Sequence, residues 1–217
     1  MKVYHLAVIR LPAQQSASSS LDNSASSDAQ SLVLNSVVDL SSFSFFQRSS
    51  VEEFLNFFTV TIAERTPAKG RQSVPSNENG EYVIHVMRGT GDLCVTVTTD
   101  KEYPHLVAHS LAGKVLDDFT RRYTPQQAGA ATRTNELSFP ELADYFEKYQ
   151  DPKQADNILR VQQELEQTKI VMHKTIEGLL DRENKLNSLV DRSSQLSSYS
   201  KAFYKTAKKT NSCCVIM

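Results

Sequence analysis

The chain has 217 residues, 24 Lys and Arg against 25 Asp and Glu, and a formal net charge of -1. At roughly 100 to 200 residues per domain, that length allows one or two domains, and the near balance of charge leaves no basic field for nucleic acid. The three cysteines, Cys94 and the adjacent Cys213 and Cys214, show neither the spaced pairs of a disulfide framework nor those of a zinc site, which suits a reducing cytosol.

Residues 2–11, "KVYHLAVIRL", and 32–40, "LVLNSVVDL", are rich in β-branched and apolar side chains and read as two strands. The first is broken by His5 and stopped by Arg10 and Pro12, too soon for a secretory signal. No run in the chain approaches the roughly 20 apolar residues that span a bilayer. Between the strands, the serine-rich stretch 13–31 has too little apolar area to offset the entropy of ordering it, and reads as a disordered hairpin insert.

A helix follows. Ser50 is placed to cap it and Glu53 to complete a capping box, so that it begins near Val51. At 100° per residue Val51, Phe54, Leu55, Phe58 and Ile62 form the stripe expected on a sheet, while Phe57 and Val60 point away from it. With Phe43 they form a candidate apolar patch, covered either by local aromatics such as Phe45 and Phe46 or by a partner element. A short edge strand near 71–74 precedes "EYVIHVMR" and "DLCVTVTTD", a hairpin joined through Gly89-Thr90-Gly91. Helical periodicity through Leu106, Val107, Leu111, Val115, Leu116 and Phe119 is followed by the shorter helix "FPELADYFEKYQ". The order implies an α+β domain with an antiparallel sheet flanked by helices, ending near residue 150.

Catalysis finds no support in these residues. His105 and His109 lie four apart, but "HLVAH" lacks the glutamate of a zinc protease motif and a third ligand, which leaves them as surface or core-edge histidines. Gly89-Thr90-Gly91 lacks the lysine of a phosphate-binding loop. The reading is a protein that is not an enzyme and holds no metal or free cofactor.

From Asp151 the composition shifts to Gln, Glu, Lys and Leu. Steps of three and four pick out Ile158, Val161, Leu165, Thr168, Met172, Thr175, Leu179, Arg182, Leu186, Leu189, Ser193, Leu196, Ser200, Phe203 and Ala207, a heptad seam. A continuous helix over 152–210 would extend about 88 Å at 1.5 Å per residue, so it must borrow partners. Arg182 stands mid-seam: its guanidinium either tilts to solvent or meets acceptors from other helices, lowering stability and setting register. The chain closes on "CVIM", the pattern that directs farnesyl to Cys214.

The stretch 151–209, with Arg182 at its centre, resembles an R-SNARE motif, and the preceding domain resembles a longin (profilin-like) domain. Together with "SSFSFFQRSSVEEF" and the terminal "NSCCVIM", the chain is similar to the prenylated YKT-type longin R-SNAREs, synaptobrevin homologues without a transmembrane helix. The resemblance implies a longin domain over 1–140, a connecting helix or linker over 141–151, a long coiled-coil SNARE helix over 152–210 and a lipidated tail over 211–217. It further implies vesicle fusion in ER–Golgi, endosomal and vacuolar or lysosomal transport, through a four-helix bundle with three Q-SNARE motifs (Qa, Qb and Qc). Arg182 would be the ionic layer and Cys213 the site of a palmitoyl or second prenyl group. Disassembly and tethering machinery would be partners, and the location would be cytosol and the cytosolic face of Golgi, endosomal and vacuolar or lysosomal membranes. Fold-back of the longin domain on the seam, with reversible lipid anchoring, would regulate it. A lipid-anchored longin adaptor or coiled-coil tether without fusogenic activity is the alternative. The serine-rich insert departs from the short turn of the family.

Overall fold

The computed structural model describes residues 1–12, 30–76, 81–89, 91–152, 169–180 and 186–213, with side chains of the last segment to residue 206. Its strands are β1 (Val3–Arg10), β2 (Leu32–Val38), β3 (Arg71–Pro75), β4 (Tyr82–Arg88), β5 (Leu93–Asp100) and β6 (Ile170–Met172). Its helices are α1 (Phe45–Glu64), α2 (His105–Arg122), α3 (Pro125–Ala130), α4 (Glu141–Lys148), α5 (Ile176–Leu179), α6 (Leu186–Arg192) and α7 (Ser198–Cys213).

The strands form one sheet in the order β2-β1-β5-β4-β3-β6. It is antiparallel from β2 to β3, as the hairpin pattern requires, and becomes mixed only where β6 joins β3 in parallel. The expected edge strand is therefore covered on its outer side by a strand from the heptad region. Alternation along β1 sorts the two faces. Leu6 and Val8 join Val95 and Val97 under α2 and α4, packing with Val107, Leu111, Val115, Phe119, Phe139, Leu142 and Tyr149. Ala7 and Ile9 join Val33, Ile84, Val86 and Cys94 under Val60, Ile62 and Ala63 of α1.

Two local expectations change. α1 begins six residues earlier than expected, after Ser44, because the sequence from Phe45 to Ser50 contains no breaker and simply extends the helix. Ser50 is thus a buried interior residue, not a cap, and Glu53 is free to bond elsewhere. Sequence also overlooks α3, whose Thr124 and Gln127 form a true capping box around Pro125. Ser31, assigned to the insert, is ordered: its buried hydroxyl donates to Glu64 Oε1 at 2.7 Å.

Of the two histidines read as surface or core-edge, His105 is half-buried as expected and His109 is not. His109 is fully buried, and Ser73 Oγ lies 3.0 Å from its Nε2 and 2.9 Å from Nδ1 of buried His85. Among the described residues no group of three His, Cys, Asp or Glu is placed to hold a metal. Burial lowers His5 to about 4 and His109 to about 3, and pushes His85 well below its ordinary value. These imidazoles are neutral when folded, whereas the unfolded chain takes up protons below pH 6.5, so stability is full above that value and falls as pH drops. Between pH 6.5 and pH 5 the loss is on the order of 2 kcal/mol per histidine. Thermal unfolding followed by circular dichroism is expected to show a clear fall in Tm from pH 7 to pH 5, and a shallower fall in His109→Gln. A flat pH profile would contradict it.

Candidate functional site

Among the described residues between Ile170 and Cys213 the heptad region is one short strand and three helices, in place of the long helix expected over 152–210. The reason is physical: a seam without partner helices has only its own longin surface on which to bury leucines, and that surface is not 60 residues long. Each piece docks differently.

β6 docks through its backbone. Ile170, Val171 and Met172 pair with Arg71, Gln72 and Ser73, while the side chains of Val171 and Met172 stay exposed. His173 extends the pairing, its amide donating to Ser73 O at 3.0 Å and its Nε2 to Gln72 Oε1 at 3.1 Å. Buried Gln72 in turn donates to Thr66 Oγ1 (2.6 Å) and Ile62 O (3.3 Å). One glutamine thus ties the heptad region to the C-terminal end of α1.

The helices dock through side chains. In α5, capped by Thr175 Oγ1 accepting from the Gly178 amide, Ile176 buries with Val60 and the sheet residues, alongside Leu180 and Leu186. Val190 and Leu196 bury against Phe54 and Phe57, with Leu189, Phe203 and Tyr204 packed around them. The rings of Phe54 and Tyr204 lie 5.5 Å apart. Phe54 therefore faces the heptad region, not the sheet as its helical phase suggested. Val60 joins the sheet core, where sequence had it pointing away, and Phe57 meets α6 and the residues leading into α7. Phe43, the third patch residue, is half-buried in the turn before α1 and lies outside these clusters.

At the start of α7, Ser197 Oγ accepts from the Ser200 amide at 3.1 Å, and the Ser197 amide donates to Glu53 Oε2 at 2.9 Å. Partial desolvation acts to raise Glu53, but the Ser197 amide and the Ser200 and Ser197 hydroxyls outweigh it, and the carboxyl is held below its ordinary value. A charged acceptor on α1 thus meets an N-terminal amide of a helix whose dipole favours it. Lys201 and Lys205, the lysines of α7 placed to meet lipid headgroups, turn instead to Asp191: Lys205 Nζ lies 2.9 Å from its carboxylate and Lys201 Nζ 3.0 Å from its carbonyl.

Seam and docking surface overlap without coinciding. Leu179, Leu186, Leu189, Leu196 and Phe203 are seam residues in contact with the longin clusters. Ile176, Leu180, Val190 and Tyr204, which sequence reasoning missed, each follow a seam position by one residue and shift the buried stripe by about 100°. Their apolar character was the available signal. Ile158, Val161, Leu165, Arg182 and Cys214 lie outside the described residues, and Cys213 is the last residue of α7.

Family models agree with this two-part arrangement: the longin model, a regulated-SNARE-like domain, matches residues 40–146, and the synaptobrevin model matches residues 157–215. The Synaptobrevin homolog YKT6 of Candida glabrata is 49% identical over 218 residues, covering 100% of both chains. The chain belongs to the YKT6 family of synaptobrevin homologues. Synaptobrevin homolog ykt6 of Schizosaccharomyces pombe is 56% identical over 82% of this chain and 88% of its own length. VAMP-like protein YKT61 of Arabidopsis thaliana is 44% identical over 86% and 91% respectively. For a YKT6-family chain the described residues hold one further relevant fact: no helix among them is long and apolar enough to cross a membrane.

Proposed function

We propose that this chain is an R-SNARE for vesicle fusion that is held closed by its own longin domain and attached to membranes by lipid. The observation that carries the reading is that Leu186, Leu189, Leu196 and Phe203 lie on a heptad seam and yet pack against the longin domain. The same side chains cannot face α1 and three other helices at once, so closure and bundle assembly exclude each other. Membership of the YKT6 family supplies the SNARE context.

In the assembled state the 152–210 segment becomes one helix with three Q-SNARE helices, and folding and binding are a single event. Arg182 donates to glutamine carbonyls in a plane shielded by Leu179 and Leu186, which penalises bundles that slip out of register. Farnesyl on Cys214 and a second lipid on Cys213 anchor the end toward which zippering proceeds, at the cytosolic face of Golgi, endosomal and vacuolar or lysosomal membranes. Disassembly and tethering machinery complete the cycle. The work is assembly, not catalysis.

Mixing residues 1–211 with candidate sets of Qa, Qb and Qc motifs is expected to give a cooperative gain of helix and a one-to-one-to-one-to-one complex on gel filtration. Arg182→Glu, which places a carboxylate among glutamine carbonyls, should lower its thermal stability by several kcal/mol, the scale for a mispaired buried charge. A helical homodimer indifferent to Arg182 would instead mark a lipid-anchored adaptor.

A further inference from the structure

On the sheet face opposite α1, away from the folded-back seam, a cavity of about 520 Å³ opens between the β4–β5 hairpin, the C-terminal half of α2 and α3. Its volume is in the range of small-molecule sites. Leu93, Leu116 and Met87 supply apolar wall, and Arg10, Lys69 and Arg71 supply three cations against the carboxylates of Asp92 and Asp117. From this lining we propose that the cavity is a binding site for a phosphoryl group carried on a small or amphiphilic body.

Two features distinguish it from an ordinary basic patch. Arg71, at the start of β3 and on the cavity's side of the sheet with its pairing partner Met87, carries a buried Nη1 without an acceptor, and no carboxylate lies within ion-pair distance of it among the described residues. Burial lowers the Arg71 guanidinium from its ordinary value while Asp117 acts in the opposite sense, so its charge is poorly solvated where it stands. A nearby anion would relieve that cost.

Lys69 is the second feature. It sits at φ 59°, in the left-handed region, in the turn where Gly70 packs so closely on Pro67 that an added Cβ would meet Pro67 O at 2.6 Å. Glycine is the residue that adopts such a backbone at no steric cost. Lysine there carries a conformational penalty and brings an ammonium to the cavity. Arg10, by contrast, is structurally engaged, its Nη1 donating to the carbonyls of Ala128, Gly129 and Ala131. A carboxylate is fully met by one bidentate guanidinium; a phosphoryl group, with three acceptor oxygens and up to two charges, can use a guanidinium and an ammonium together.

The test uses the full, unlipidated chain. Calorimetry with inorganic pyrophosphate reads a free phosphate ester, and flotation with phosphatidic acid vesicles beside phosphatidylcholine vesicles reads a lipid headgroup. Saturable binding in either arm, weakened at least tenfold by Arg71→Gln and severalfold by Lys69→Gly, is the expected result. Lys69→Gly separates binding from folding, since it should leave Tm unchanged or raised while binding falls. No binding in both arms would overturn the site. So would binding that neither variant alters, which would assign it to cations elsewhere, such as the lysines of α7.

Discussion

Phe57→Glu is expected to release the 186–206 segment from the longin domain while leaving that domain folded. Phe57 buries against Val190 and Leu196, in a cluster made only of α1 and heptad-region residues. Removing a buried phenyl ring costs about 3 kcal/mol or more, on the order of a hundredfold in the ratio of docked to undocked chain, and a carboxylate at the site adds its own desolvation. Amide hydrogen exchange should then show lost protection across α6 and α7 and retained protection in β1, β4 and β5. Assembly with Q-SNARE motifs should become faster, because no seam residue has to leave α1 first. Phe45→Glu is the control: Phe45 is 78% exposed and should change nothing. Val60→Glu is the contrast, since Val60 also packs with Ile9, Ile84 and Val86, and its loss should lower the Tm of the domain itself. Unchanged exchange in α6 and α7 with Phe57→Glu would mean that this contact does not hold the closed form.

Cys214→Ser is expected to abolish membrane attachment, and Cys213→Ser to weaken it. α7 runs as helix to Cys213, so the proposed farnesyl would follow at the next residue. One acyl chain alone gives marginal, reversible binding, with an association constant of about 10⁴ M⁻¹ for myristoyl, and stable anchoring takes two signals. The membrane-bound fraction in cell lysates should therefore fall to background for Cys214→Ser and to an intermediate, readily washed level for Cys213→Ser. Lys201 and Lys205 would add little while turned to Asp191. A Cys214→Ser chain that still pellets with membranes would place the anchor elsewhere.

Period-2 alternation in β1 and β5, turn residues at the β4–β5 hairpin and helical spacing in α2 are local signals, and they sufficed for β1 to β5, α2 and α4, though not for α3 or the start of α1. The heptads at Leu179, Leu186, Leu189 and Leu196 and the terminal cysteines are equally local, because each pattern lies within a few consecutive turns. What stayed illegible depended on distant partners. Ser50 and Glu53 look like a capping box until the helix is seen to start earlier, and Glu53 then reaches Ser197, 144 residues away. Helical phase puts Phe54 and Val60 on the wrong faces, since α1 packs on the sheet with one side and on the heptad region with another. Nothing within β3 announces that β6 will pair with it, because a parallel ladder is made of backbone groups that every residue carries. The sequence by itself determined the longin α+β domain, the heptad seam and the terminal cysteine pattern from which lipid anchoring is proposed. Only tertiary structure decided that the seam turns back on α1, because apolar residues at 3.6 spacing specify that a face must be buried and leave open what buries it.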